Sequence, residues 1–134
     1  VAVGPAQHRG GLRRIGGHDH RHVGQALVGI GSVEPSPLLR DSGTILDGVA
    51  DRVQRLGGVG DICFRYFDGQ GRALNADVDA QIAGITEAQL RRVPRRVAAA
   101  GGPRKVEAIR AALLGGWVTT LITDVDTASA LVAD

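Results

Sequence analysis

Aromatic residues are almost absent: two Phe, one Tyr and one Trp among 134 residues. A core therefore has to be assembled from Val, Leu, Ile and Ala, for which an apolar content of 43% suffices. Cys63 is the single cysteine. It cannot form an internal disulfide, which points to a reducing, cytoplasmic compartment. No apolar run approaches the ~20 residues of a membrane-crossing helix. No signal-peptide pattern of basic start, apolar stretch and small-residue cleavage site is present. Lysine is equally scarce, since Lys105 is the only one among sixteen basic residues. The length bounds the chain to one domain at most.

Glycine is abundant, with twenty residues, about twice the usual share. The glycines sit at segment ends, which suits a fold with many strand-to-helix turns. The net charge of +2 hides an asymmetry: residues 1–24 carry four Arg against one Asp, whereas residues 25–134 carry twelve basic and thirteen acidic groups. A near-neutral body argues against a broad phosphate-backbone footprint. Residues 1–24 show no apolar period of either kind, and their composition predicts a poorly structured segment. His18, His20 and His22 alternate within it, but no Cys or second ligand cluster supports them. No metal site is expected.

The last third, Gly101 to Leu131, organises the chain. Gly101-Gly102 permits a sharp turn and close approach to a ligand. Pro103 suits a first helical position. Val106, Ile109 and Leu113 recur on one helical face, with Ala108, Ala111 and Ala112 allowing tight packing. Gly115-Gly116 stops the helix. Trp117–Ile122 reads as a strand, and Thr123 or Asp124 as the cap of a further helix. With Val97–Ala100 as a preceding strand, this order implies a parallel sheet with crossover helices.

The same stretch resembles the end of the effector-binding domain of SorC-type (DeoR-like) transcriptional regulators. The resemblance rests on Gly101, Gly102, Lys105, Ala108, Ile109, Ala111, Ala112, Leu113, Gly115, Gly116, Thr123, Asp124, Thr127 and Ala128. Leu27–Ser32 is similar to the family's strand and ligand loop, and Gly58–Cys63 followed by Tyr66–Asp68 to its central strand. The likeness runs from about residue 25 to 132. It implies an α/β fold, a partial Rossmann-like parallel sheet with flanking helices, related to sugar-phosphate isomerases and coenzyme A transferases. Residues 25–134 would be the C-terminal part of a sugar-binding effector domain, with residues 1–24 outside it.

Site candidates follow. Gly29 and Gly31 close a predicted buried strand, Gln25–Ile30, at the end where open α/β sheets hold ligands. A third glycine and a prompt helix are missing, which disfavours a dinucleotide. The resemblance extends the site to Arg40 in the Pro35–Pro37 loop, although an Arg there is also an ordinary surface charge. Asp61 lies inside a predicted strand, Val59–Phe67, where it either caps a neighbour or accepts sugar hydroxyls. The resemblance favours the second role. Phe64 departs from the family, which has a small residue there. Lys105, one turn into a helix after Gly101-Gly102, sits beside N–H groups expected to be free, a setting that attracts an anion such as a sugar phosphate.

Elsewhere, Ile45–Leu56 reads as an amphipathic helix, and Asp68–Gly71 as a turn. Thr86–Gln89 reads as a capping box opening a short helix to Arg92. Arg91, Arg92, Arg95 and Arg96 read as a solvated helix end, since no aromatic interleaves them for base stacking. The resemblance implies a phosphorylated-sugar-binding part of a carbohydrate regulator that is not an enzyme and needs no cofactor. It contacts no membrane, reaches DNA only through a helix-turn-helix absent from this chain, and is homo-oligomeric when intact. Two other readings stand: an isomerase-like enzyme fragment on the same fold, for which Asp61 and Lys105 lack a Glu or His to complete the set, and a non-functional remnant.

Overall fold

The computed structural model describes residues 23–33, 49–74 and 82–133. Residues 1–22, which include the three alternating histidines, and the predicted loop with Arg40 lie outside that range. Among the described residues, the strands form two three-stranded sheets. In the first, β1 (Gln25–Val28) and β6 (Thr120–Ile122) flank β5 (Arg95–Ala99), all parallel. In the second, β3 (Gly58–Ile62) lies between β2 (Gly31–Ser32) and β4 (Arg65–Asp68), all antiparallel. The helices are α1 (Val49–Arg55), α2 (Glu87–Arg92), α3 (Val106–Leu114) and α4 (Val125–Val132), and a 3-10 turn, Pro103–Lys105, leads into α3.

The predicted run of strand, glycine turn, helix, strand and helix is β5, the 3-10 turn, α3, β6 and α4. The parallel sheet is therefore as expected. The antiparallel sheet was not anticipated, because the predicted strand Val59–Phe67 is two strands joined by a hairpin. Cys63 and Phe64 form its turn with φ of 53° and 61°, the pair of positive values a two-residue hairpin needs. Glycine or Asn usually signals such a turn; here neither is present. Phe64 therefore stands where a small residue fits best. It is exposed and does not fill the core.

Gln25–Ile30 is not a buried strand. Only Gln25–Val28 pairs. Among the described residues it is an edge strand, and its exposure alternates because one face is covered more than the other, with Leu27 63% exposed. Ile30 leaves the strand and enters the core. The helix expected over Ile45–Leu56 is described from Val49 to Arg55. Val53 is buried, but Leu56 lies beyond the helix and is half exposed. The strand expected from Trp117 starts only at Thr120, because Trp117 and Val118 turn inward.

Trp117 anchors the core. It is fully buried, its ring lies 5.1 Å from that of Phe67, and its indole N–H donates to the Gly71 carbonyl at 2.8 Å. Ala108, Ile109, Ala111 and Ala112 bring α3 onto the same cluster. The capping box is present: the Gln89 N–H donates to the Thr86 hydroxyl and the Thr86 N–H to the Gln89 side chain. The arginines after it are not all solvated. The Arg91 guanidinium lies 4.8 Å from the Trp117 ring centre and donates to the Gly115 carbonyl at 2.9 Å. Arg96 donates to the carbonyls of Trp117 and Gly116. Two guanidiniums thus satisfy carbonyls at the C-terminus of α3, where cations are favoured. Arg65 is similarly structural, almost fully buried and donating to Ile85 and Ile82 carbonyls.

Candidate functional site

The site is built where the two sheets meet the start of α3. In the antiparallel register Gly31 of β2 lies opposite Asp61 of β3. The carboxylate leans across the glycine so closely that a Cβ at residue 31 would lie 2.0 Å from Asp61 Oδ1. A side chain at residue 31 would displace the carboxylate. The Phe64 N–H from the hairpin donates to Asp61 Oδ2 at 3.0 Å. The 3-10 turn packs on β2 and brings the Lys105 ammonium within electrostatic reach of Asp61. Burial holds the Asp61 carboxyl above its ordinary value, while the Phe64 N–H and the Lys105 ammonium oppose that rise. Asp61, Gly31 and Lys105, distant in sequence, therefore share one place.

Gly101 and Gly102 follow the carboxyl end of β5. They are held from β6 and α4. The Gly102 N–H donates to Thr127 Oγ1 at 2.8 Å and to Asp124 Oδ2 at 3.2 Å. The Thr127 hydroxyl donates to Asp124 Oδ2 at 2.7 Å, and the Thr127 N–H to Asp124 Oδ1 at 2.8 Å. Asp124 is thus the cap of α4, with its carboxyl held below its ordinary value, chiefly by the Thr127 N–H. This narrows one expectation. Of the N–H groups of the turn, that of Gly102 is occupied, Pro103 has none, and the Lys105 N–H donates to the Gly102 carbonyl at 3.0 Å.

Gly29 joins the two sheets, exposed and with open space where a side chain would stand. Beside Gly31 and Lys105 a cleft of about 260 Å³ opens, lined by Ser32, Val33, Gln54, Gly58, Val59, Arg104 and Glu107. That falls just below the range of about 300–1,000 Å³ in which small ligands are usually enclosed. Its polar side chains were not singled out from the sequence, because Gln54, Arg104 and Glu107 look like ordinary helix-surface residues. The hold of Asp124 and Thr127 on Gly102 was missed too, although both belong to the motif that carries the resemblance. Among the described residues no cluster of His, Cys, Asp and Glu could hold a metal ion, and no helix is long and apolar enough to cross a membrane.

A parallel sheet and an antiparallel sheet with flanking helices, and a candidate site beside strand ends, define an α/β domain of the kind that holds ligands there. The chain belongs to the sugar-binding domain family of SorC/DeoR-type transcriptional regulators. The family model described as "Putative sugar-binding domain" matches residues 18–133. The chain is 43% identical to the uncharacterised transcriptional regulator YjhU of Escherichia coli K12 over 111 residues, 83% of this chain and 32% of that protein. It is 39% identical to the erythritol catabolism regulatory protein EryD of Brucella abortus over 108 residues, 79% of this chain and 33% of that protein. The full-length sorbitol operon regulator SorC of Klebsiella pneumoniae superposes with a TM-score of 0.74 at 27% identity, covering 84% of this chain and 36% of that one. The chain spans about a third of the length of these curated relatives.

Proposed function

We propose that this chain is the effector-binding portion of a SorC-type regulator of carbohydrate metabolism, and that its effector is a phosphorylated sugar. The observation that carries this reading is the seating of the Asp61 carboxylate over Gly31, with the turn that carries Lys105 packed on the same strand, β2. A carboxylate accepts hydrogen bonds from sugar hydroxyls, and an ammonium is a compact charge for a phosphate oxygen. Gly31 leaves the carboxylate room. Gly101 and Gly102 form the turn that presents Lys105, and the resemblance adds Gly29 and Arg40 as ligand candidates. DNA contact belongs to another part of an intact, homo-oligomeric regulator in the cytoplasm. The chain acts as a binder and not as a catalyst, as its regulator relatives support.

The test is titration of the full chain with ribose 5-phosphate, glucose 6-phosphate, the two free sugars and inorganic phosphate. A sugar phosphate should bind more tightly than its free sugar. Lys105→Ala should lose about ten- to a hundredfold in that affinity, the effect of one charge-assisted bond of roughly 1.5–3 kcal/mol. Lys105→Arg should recover only part, because the fork is larger and differently directed. Unchanged affinity in Lys105→Ala would remove the lysine from the site. Isomerisation of ribose 5-phosphate, followed by ketose formation, would favour the enzyme reading instead.

Asp61 gives a second expectation, in pH. Its folded-state value is raised by burial, so the folded protein holds this proton more tightly than the unfolded chain. The contribution is therefore fully present below the unfolded value near 3.8 and is lost as pH rises through the raised folded value. Asp61→Asn removes that slope while keeping an acceptor for the Phe64 N–H. At pH 7 the variant should melt at or above the wild-type temperature, yet bind sugar phosphate at least tenfold more weakly if one charge-assisted contact is lost. Asp68 and Asp124 have lowered values and act in the opposite direction, so the informative quantity is wild type minus variant from pH 4 to 8. A variant that melts well below wild type at pH 7 would show that the Asp61 charge is structural.

A further inference from the structure

We propose that Asp124 and Thr127, at the start of α4, are positioning residues for the effector site: they fix Gly102 so that the 3-10 turn presents Lys105 to Asp61. The inference rests on the ligand role proposed above for Lys105 and goes beyond it, because it concerns two residues to which that reading gives no part. The chain of contacts is continuous. Thr127 is 2% exposed, and its hydroxyl accepts the Gly102 N–H while donating to Asp124. Asp124 Oδ2 also receives the Gly102 N–H. A Cβ at Gly101 would lie 2.2 Å from that same oxygen, so the carboxylate is seated against the turn's backbone. The Gly102 carbonyl then accepts the Lys105 N–H and closes the 3-10 turn. Gly102 has φ of 101°, a conformation with few intrinsic restraints in glycine, so its position is set from outside.

Capping a helix accounts for only part of this arrangement. The bond from the Thr127 N–H to Asp124 Oδ1 is a complete N-cap by itself. The Thr127 hydroxyl and Asp124 Oδ2 face away from α4, toward the turn after another strand. Effector affinity is therefore tied to the seat of α4.

The experiment compares wild type, Thr127→Val and Thr127→Ser in the full chain. Valine keeps the shape and removes the hydroxyl; serine restores it. Two readouts are taken well below the melting temperature. One is hydrogen exchange at the Gly102 amide. The other is titration with ribose 5-phosphate, glucose 6-phosphate and inorganic phosphate. Thr127→Val should speed Gly102 exchange and weaken sugar-phosphate binding about tenfold, the scale of one lost hydrogen bond. Thr127→Ser should return both toward wild type. A residue that only supports the fold would lower the melting temperature without changing the affinity of the folded protein, and that result would overturn the inference. Unchanged Gly102 exchange in Thr127→Val would also overturn it, whatever the ligand does. If wild type binds none of the three titrants, the ligand reading fails and this inference fails with it. Binding by wild type and equally by Thr127→Val refutes the positioning role alone.

Discussion

Trp117→Ala should lower the unfolding free energy by about 3–5 kcal/mol, the range for truncating a buried large aromatic. The side chain is fully buried in a chain with almost no other aromatics. Its loss leaves a cavity beside Phe67, removes the surface under Arg91, and strands the Gly71 carbonyl that accepted the indole N–H. Four of the other ten buried residues of the cluster are alanines, whose short side chains cannot swing into the space. Trp117→Phe separates the contributions. It refills most of the volume and forfeits the hydrogen bond, so it should cost about 1–3 kcal/mol, mainly from the unpaired buried carbonyl. Urea titrations followed by far-ultraviolet circular dichroism measure both, since the variants lose indole fluorescence. A cost below about 1 kcal/mol for Trp117→Ala is too small for a buried-core truncation and would mean that the indole is not in the core.

The parts of the fold that could be read from the sequence are those where one local rule acts alone. Gly115-Gly116 ended α3, Thr86 with Gln89 opened α2, and apolar spacing placed α3. The Cys63–Phe64 hairpin was illegible because its positive φ values are imposed by the pairing of β3 with β4, against the residues' own preference. The inward turn of Trp117 was illegible for a related reason: its β-branched neighbours favour a strand, and burial of the indole overrides them. In the site, Asp61 and Lys105 could be singled out by residue type and by resemblance. Their meeting depends on the Gly31–Asp61 register and on the packing of the turn, which are tertiary facts. The occupied Gly102 N–H is a further case: a helix start looks anion-ready in sequence, and only the three-dimensional position of Asp124 shows that a carboxylate already takes that donor.

The second large effect concerns the contact between the β4 turn and the end of α3. A Cβ at Gly71 would lie 2.3 Å from the Ala111 carbonyl oxygen and 2.5 Å from Gly115 Cα. These are backbone atoms, which cannot rotate aside. Gly71 also has φ of 72°, which disfavours any side chain by about 1–2 kcal/mol. Overpacking against fixed neighbours adds about 1–3 kcal/mol, so Gly71→Ala should cost about 2–5 kcal/mol. Two controls divide that figure. Gly57 has φ of 78° with open space around it, so Gly57→Ala should show the backbone strain alone. Gly115 has φ of −77°, yet its Cβ would lie 2.3 Å from the Gly71 carbonyl oxygen. Gly115→Ala should therefore show the collision alone, and the two controls together should approach the cost of Gly71→Ala. If Gly71→Ala costs no more than Gly57→Ala, the close approach of turn and helix is wrong. The Gly71 carbonyl is also the acceptor for Trp117, so Gly71→Ala and Trp117→Phe should be non-additive, whereas Gly57→Ala and Trp117→Phe should add. The contact that makes Gly115 obligatory thus seals the core at the far end of α3 from Lys105, which assigns the second Gly-Gly pair to the fold, while the first belongs to the turn proposed to present Lys105.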